Sequence, residues 1–343
     1  MIQFAMSPSA QRRHSRSFQI PRDNSFLPGT RALHALWHVM HDPSPAGVPL
    51  ALVVHNSDAG TDPVPRADIE AVLQAAGMRT LYCAHGKDDL DAALASPFDL
   101  VVCAGGDGTL AHVASSLEQV ERPIGVLPLG GSNNIAHALD VEGDWRDLPR
   151  RWSLDRWTLL DRCEADGPWG RRRFVEAVGA GLLSDSFDNV DGEPGTPSEK
   201  RANGRKAFRT ALEKAAPFPC RIEAGDWCWE GDCLMVEVMS IPYVGARLRL
   251  VADGDPADGL FDVILVTPKD RARMLAWCKA PDDAPCPIEA RRASMVRLAV
   301  NDLSFRLDDR SPDERLSGVV TARFRPQPVR ILVPARSLSQ ENA

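Results

Sequence analysis

The sequence has no surplus of basic residues. Across 343 residues, 47 Asp and Glu outweigh 40 Lys and Arg, for a formal net charge of −7. General nucleic-acid binding needs a basic surface, so no nucleic-acid partner is expected. Long apolar runs are missing too: none approaches the roughly 20 residues that span a bilayer as a helix. The opening MIQFAMSPSAQRRHSRSFQ has an Arg pair with no apolar core behind it. A secretory signal is therefore not expected, and a cytoplasmic location is. No internal repeat is visible. The eight cysteines are scattered and sit mostly in apolar runs, as Cys83, Cys103 and Cys278 do. That is the pattern of reduced thiols, not of a disulfide framework. Cys220, Cys228 and Cys233 lie close enough to consider a zinc knuckle, but no second pair and no histidine is near, which argues against it.

What is present is an ordinary globular balance, 44% hydrophobic and 25% charged, in a chain long enough for two domains. Residues 1–48 read as a poorly ordered extension, mixing Ser, Arg and Pro. Within it TRALHALWHVMH could form a short helix, with Leu33, Leu36, Trp37 and Met40 on one face. From residue 49 apolar strands alternate with helices: LALVV, ADIEAVLQAAG ending at Gly77, RTLYCA, KDDLDAALAS, FDLVVCAGG, TLAHVASSL, PIGVLPLGG and SNNIAHAL. Continuous apolar strands between helices predict a parallel sheet covered on both faces, over 49–148. Over 149–327 the texture changes to short β-like runs, among them RRRFVEAVGAG, CLMVEVMSI, LFDVILV, SMVRLAV and VVTARF. These predict a mostly antiparallel, β-sandwich-like second domain, so the fold class is α/β with a β-rich partner. One helix candidate, 196–216, holds Lys200, Arg201, Arg205, Lys206, Arg209 and Lys214 against Glu199 and Glu213. A solvated face is the favoured reading; a patch for anionic lipid headgroups is the alternative.

The stretch VVCAGGDGTLAHV sets Gly105, Gly106 and Gly108 around Asp107, then Thr109, behind an apolar strand. Glycine opens backbone conformations closed to other residues and removes side chains that keep an anion from the peptide N–H groups. A helix starting there aims its first N–H groups and its dipole at the same spot. The stretch reads either as a phosphate cradle or as a plain strand-to-helix turn. A second glycine turn, Gly130-Gly131, falls at the end of the next strand. Ligands of parallel sheets bind beyond the carboxyl ends of the strands, so two such turns favour the cradle. His112 and His137, one on each following helix, are ligand or acid–base candidates or packing residues; His112 lies one turn inside the cradle helix.

Four elements, NSDAG (56–60), GGDGT (105–109), PLGGSNNIAHAL (128–139) and DPADGLFDVILV (255–266), occur in an order that resembles the diacylglycerol kinase catalytic-domain family, which includes bacterial lipid kinases and sphingosine kinases. GGDGT alone is shared with NAD kinases. The resemblance implies a two-domain lipid kinase of NAD-kinase/diacylglycerol-kinase-like fold, with ATP in the cleft, a lipid hydroxyl as acceptor and the acyl chains held by the second, lipid domain. It implies peripheral contact with membrane, and a last strand at about 328–335 returning to the first domain. It puts nucleotide contacts at Asn56, Gly105, Gly106, Asp107, Gly108, Thr109, Gly130, Gly131, Ser132 and Asn133, with Asp107 the essential acid or else a turn-stabilising carboxylate. Carried over from the family, the later Asp-Gly turn gives a Mg²⁺ or Ca²⁺ site from Asp258 and the carbonyls of Asp255 and Leu260; an ordinary hairpin turn is the alternative. The family's base is a Glu in Asp-Gly-Glu near the C-terminus. Here FRLDDRSPDERLSG stands instead, so either Asp308-Asp309-Arg310 occupies that place without a Glu or an insertion moves the role to Glu314. Glu314 ranks ahead of Asp308. Ala111, His112, Gly131 and Tyr82 also depart from the family pattern. An active lipid kinase ranks first, a non-catalytic lipid- or nucleotide-binding relative second, and an NAD-kinase-like enzyme third.

Overall fold

The computed structural model describes residues 47–335 apart from Thr61, 187–194, Asp309 and 311–314. Apart from Gly47 and Val48, the expected N-terminal extension and its helix lie outside the described residues.

The first lobe runs β1 (Leu50–His55), α1 (Arg66–Ala75), β2 (Arg79–Ala84), α2 (Leu90–Leu94), β3 (Leu100–Gly105), α3 (Asp107–Ser116), β4 (Ile124–Pro128) and α4 (Asn134–Ala138). The strands are parallel in the order β2-β1-β3-β4. Every residue of β3 is buried, because helices cover both faces and no polar alternation is needed. α1 buries Ile69 and Leu73, one turn apart. It ends where Gly77 takes φ +79°, its N–H on the Gln74 carbonyl and the Met78 N–H on Leu73. That double bond is the Schellman stop, and it needs glycine at the left-handed position. From β1 the chain goes to β2 on one side and to β3 on the other. The crevice between β1 and β3 is therefore the switch point at which such sheets bind ligands.

Two more strands complete this sheet: β5 (Trp157–Leu160) at the edge, and the returning Val329–Leu332 between β4 and β5. Between β5 and that return lies the second lobe: β6 (Cys163–Gly167), β7 (Gly170–Phe174), β8 (Ala177–Gly181), α5 (Leu182–Ser186), α6 (Pro197–Lys214), β9 (Phe218–Ala224), β10 (Trp227–Cys233), β11 (Met235–Met239), β12 (Tyr243–Val244), β13 (Leu248–Arg249), β14 (Phe261–Val266), α7 (Arg271–Trp277), β15 (Arg291–Ala293), β16 (Met295–Leu303), β17 (Phe305–Leu307) and β18 (Leu316–Phe324); the return is β19. The sequence boundary at 148/149 thus falls short, since Trp157–Leu160 belongs to the first sheet. The cause is a non-local pairing, Leu160 with Val329, that no local pattern announces.

The second lobe is a sandwich of sheets β10-β9-β16-β18-β6-β7 and β15-β14-β11-β8-β17. All ladders are antiparallel, and Phe174, Phe261 and Phe324 stack between them. α6 and α7 cover the outer face of the second sheet with Phe208, Leu212, Met274 and Trp277. That sheet is consequently buried on both faces. Two charges within it, Glu237 and an equally buried Arg306, are paired at 2.9 Å. A Cβ on Gly179 would sit 2.2 Å from the Glu237 carboxylate, so the neighbouring strand must carry glycine there. Cys220 and Cys233 face the core while Cys228 is exposed on the outer face of β10, so the three thiols do not converge on one ion. Among the described residues no helix is long and apolar enough to cross a membrane.

Candidate functional site

The carboxyl ends of β1, β3 and β4 lie side by side, and each passes into a turn. After β1, the Asn56 side-chain oxygen accepts the Asp58 N–H at 3.1 Å, while the Asn56 N–H donates to the Ala104 carbonyl. After β3 comes Gly106, and after β4 comes Gly130, tied across by Leu129 N–H to the Gly105 carbonyl. These two turns touch. A Cβ on Gly130 would lie 2.6 Å from Gly106 Cα. A Cβ on Gly105 would strike the Thr109 hydroxyl at 2.5 Å. None of Gly105, Gly106, Gly108, Gly130 and Gly131 has a left-handed φ. The glycines are therefore needed for close approach, not for the backbone freedom expected from sequence. Gly108 and Gly131 differ again: a Cβ on either would meet nothing within 4 Å, so they leave open space.

α3 begins at Asp107, with first-turn N–H groups that a helix cannot satisfy internally. The Asp107 carboxylate accepts the Ile135 N–H at 2.9 Å and so joins the two turns. At its other end, α3 is held by arginines of the second lobe and its border. Arg162 donates to the Leu117 carbonyl, while Arg173 and Arg325 both donate to Ser115. Cations at a helix C-terminus complement its dipole. Burial, with Arg325 beside it, pushes Arg162 down to about 10.

Opposite the turns stands α6. It starts with a capping box, Thr196 accepting from Glu199 N–H while Glu199 accepts from Thr196 N–H. Lys206, Arg209 and Lys214 are exposed, as a solvated face would be, but the other three basic side chains turn inward. Lys200 lines the cleft, Arg201 donates to the Gly131 carbonyl, and Arg205 pairs with both oxygens of Asp282 and reaches the Ala246 and Arg247 carbonyls. Arg247 in turn donates to the Ser132 carbonyl. Between the turns and α6 lies a cleft of about 550 Å³. One wall is polar, with the turns, Asp58, His85 and Arg310; the other carries Leu183, Phe208 and Leu248.

Residues 50–161 match the diacylglycerol kinase catalytic domain. A protein of Pseudomonas aeruginosa named probable lipid kinase YegS-like is 30% identical over 234 residues, which cover 64% of this chain and 72% of that protein. The chain belongs to the diacylglycerol kinase catalytic-domain family. A diacylglycerol kinase of Staphylococcus epidermidis is 28% identical over 279 residues, covering 75% of this chain and 84% of that one. The crystal structure of a diacylglycerol kinase from Bacillus anthracis superposes with a TM-score of 0.65 at 18% identity, covering 83% and 97% of the two chains, which shows the shared fold.

In this member of the diacylglycerol kinase family, Asn56, Gly106, Asp107, Gly108, Thr109, Gly130, Gly131 and Ser132 line the cleft together. Gly105 and Asn133 do not. Gly105 is packed against Thr109, and the Asn133 side chain is spent on its own turn, bonded to Gly130 N–H and to the Pro128 and Gly130 carbonyls. Asp308 is not among the residues that line the cleft. It is buried, and its carboxylate accepts the N–H groups of Val175 and Glu176 at 2.7–3.1 Å. Glu314 lies outside the described residues. Asp255, Asp258 and Leu260 are not part of the cleft. One Asp258 oxygen accepts the Leu260 N–H and the other is taken by Arg292, which supplies the positive charge a metal ion would bring. As arranged, this turn sets a guanidinium against the Asp258 carboxylate. Its work is at the lobe junction: Gly259, at φ +69°, donates to Asp161, whose own N–H donates to the Pro256 carbonyl. His137 pairs with Glu142 and packs on Tyr243, beside a different pocket. Tyr82 donates or accepts a bond with His55 within the sheet. Cleft residues outside the sequence motifs include His85 and Lys200, and Arg310 of the Asp308-Asp309-Arg310 stretch lines the cleft where Asp308 does not.

Proposed function

We propose that this chain is an ATP-dependent lipid kinase that moves the γ-phosphoryl group of ATP to a hydroxyl of a diacylglycerol-like or sphingoid lipid. The observation that carries this reading is the contact of two glycine turns, Gly106 on Gly130, at the switch point of the sheet, facing Lys200 across the cleft. Phosphoryl transfer asks for positioning and charge neutralisation more than for covalent chemistry. Backbone N–H groups at the start of α3, its dipole and a cation on the opposite wall supply both. Gly108 and Gly131 leave room where a phosphate needs it. Magnesium, bound with the nucleotide, neutralises phosphate charge; Asp107 is the anionic side chain at the helix end that would face it.

The size of the cleft bears on where the lipid goes. A cleft of about 550 Å³ suits a nucleotide-sized ligand, within the usual ~300–1,000 Å³ of small-molecule sites. It does not hold a nucleotide and two acyl chains as well. The hydroxyl end therefore enters beside Leu183, Phe208 and Leu248, and the chains stay with the lipid aggregate. This makes the enzyme work at a membrane surface without crossing it.

The test is γ-labelled ATP with dioleoylglycerol and sphingosine in mixed micelles. A labelled lipid supports the reading. No labelled lipid, beside an active kinase as control, rejects it. The engagement of Asp308 with backbone amides favours one second reading, a relative that binds nucleotide without transfer. Mg-ATP binding by calorimetry with no labelled product would select that one.

A further inference from the structure

At the cleft stands a histidine that the family motifs do not explain, His85, backed by a second, His112. His85 sits just past the carboxyl end of β2, its N–H on the His55 carbonyl, and its side chain lines the cleft. His112 comes from α3, one turn beyond Gly108. The two rings meet edge to face, with His85 Nε2 at 3.1 Å from His112 Nδ1. Arg310, from the segment after β17, lines the same part of the cleft. We propose that His85 takes the proton from the acceptor hydroxyl, with His112 as the residue that positions it. This rests on the phosphoryl-transfer reading of the cleft.

Three observations converge on it. First, a hydrogen bond between two imidazoles requires one nitrogen to donate and the other to accept, so the pair is stable when neutral. With His85 Nε2–H donating to His112, the second nitrogen of His85, Nδ1, keeps a lone pair. Second, the surroundings hold both rings uncharged near neutral pH. Burial lowers both, and Arg310 lowers them further; Asp91, from α2, acts weakly the other way on His112. Third, two carboxylates that the sequence offers for the site, Asp308 and Asp107, are engaged with backbone amides, Asp107 with that of Ile135.

The step balances without another reagent. The acceptor oxygen bonds to the terminal phosphorus as the bond from that phosphorus to the bridging oxygen breaks. The electron pair leaves with the nucleoside diphosphate, and the hydroxyl proton passes to His85 Nδ1 and then to solvent. A loose transition state transfers this proton late, so a weak base suffices. Arg310 faces the charge that the moving phosphoryl group spreads over its oxygens.

The experiment measures kcat and KM against pH with γ-labelled ATP and dioleoylglycerol micelles, for wild type, His85→Ala, His85→Gln and His112→Asn. Mg-ATP binding by calorimetry reports folding of each variant. His85→Ala and His85→Gln are expected to lose kcat by about 10²-fold or more, the usual worth of a positioned base. KM for ATP should stay within about threefold. Added imidazole should restore part of the rate to His85→Ala. The acid limb of wild-type kcat should disappear in both His85 variants, and His112→Asn should move that limb to higher pH, since His112 helps keep His85 uncharged. Retention of kcat by both His85 variants overturns the proposal and leaves the kinase reading intact. So does a loss with the acid limb unchanged, or one matched by loss of Mg-ATP binding. Wild-type protein that labels no acceptor overturns both.

Discussion

Gly130→Ala is the substitution that most directly probes how the cradle is built. The added methyl would lie 2.6 Å from Gly106 Cα and 2.8 Å from the Asn133 side-chain oxygen. Carbon atoms in contact sit about 3.5–4.0 Å apart, so the turns must separate by roughly 1 Å. Neither obstacle is the tip of a long flexible chain: one is backbone, and the other is a side chain holding three bonds in its own turn. Overpacking of this kind costs about 1–3 kcal/mol. At roughly 2–4 °C per kcal/mol for a chain of this order of size, Tm should fall by about 2–12 °C. The matched control is Gly108→Ala, whose methyl meets nothing within 4 Å. It should leave Tm within about 1–2 °C, since neither a contact nor a left-handed φ is disturbed, while weakening nucleotide binding by filling the open space. Scanning calorimetry gives the first quantity, and titration with a fluorescent ATP analogue the second. Equal Tm values for wild type and Gly130→Ala would refute the argument from close approach.

Asp308→Asn should destabilise by about 1–3 kcal/mol, because an amide NH₂ is turned toward N–H donors, and should leave Mg-ATP affinity unchanged; denaturant melts and calorimetry check both. Because Arg292 occupies Asp258, chelation with EDTA should shift Tm by no more than about 1 °C, whereas a bound ion at 100 times its Kd would contribute about 2.7 kcal/mol. His85 and His112 have folded pKa values below the unfolded value, so the unfolded chain binds more protons just below pH 6.5. Their contribution to stability is present above that pH and is lost as the pH falls toward the folded values; the double variant His85→Asn/His112→Asn should show a shallower loss of Tm between pH 7 and 5.5 than wild type. Glu237→Ala leaves Arg306 buried without its partner and should cost about 3–5 kcal/mol, read from urea melts.

Much of this fold is legible in the sequence where burial alone decides. The runs that became β1, β3 and β4 are apolar throughout, as strands covered on both faces must be. Gly77 announces its helix end. The second lobe is legible as short strands, but not its border, because Trp157–Leu160 is placed by a partner far along the chain. At the site, the glycines are legible by type and misleading by reason: they permit contact, which only the assembled turns reveal. Asp308 reads as a base because acid near a motif suggests chemistry. Its left-handed φ and its amide partners come from the join of β17 with β8, which no local pattern encodes. His85 was findable. It follows the strand RTLYCA directly at the edge where ligands of such sheets bind. Arg310 stands in the Asp308-Asp309-Arg310 stretch, but nothing in the sequence marks it as a residue of the cleft.

The pairing of Leu160 with Val329 has a consequence for modularity. The chain departs for the second lobe and comes back at neighbouring positions on adjacent antiparallel strands, whose facing Cα atoms stand about 5 Å apart. The whole β-rich lobe is thus an insertion into a hairpin, and a tight two-residue turn could replace it without stretching the backbone. Such a minimal protein would keep both glycine turns while losing the arginine clamps, making it the natural background on which to weigh what the inserted lobe contributes.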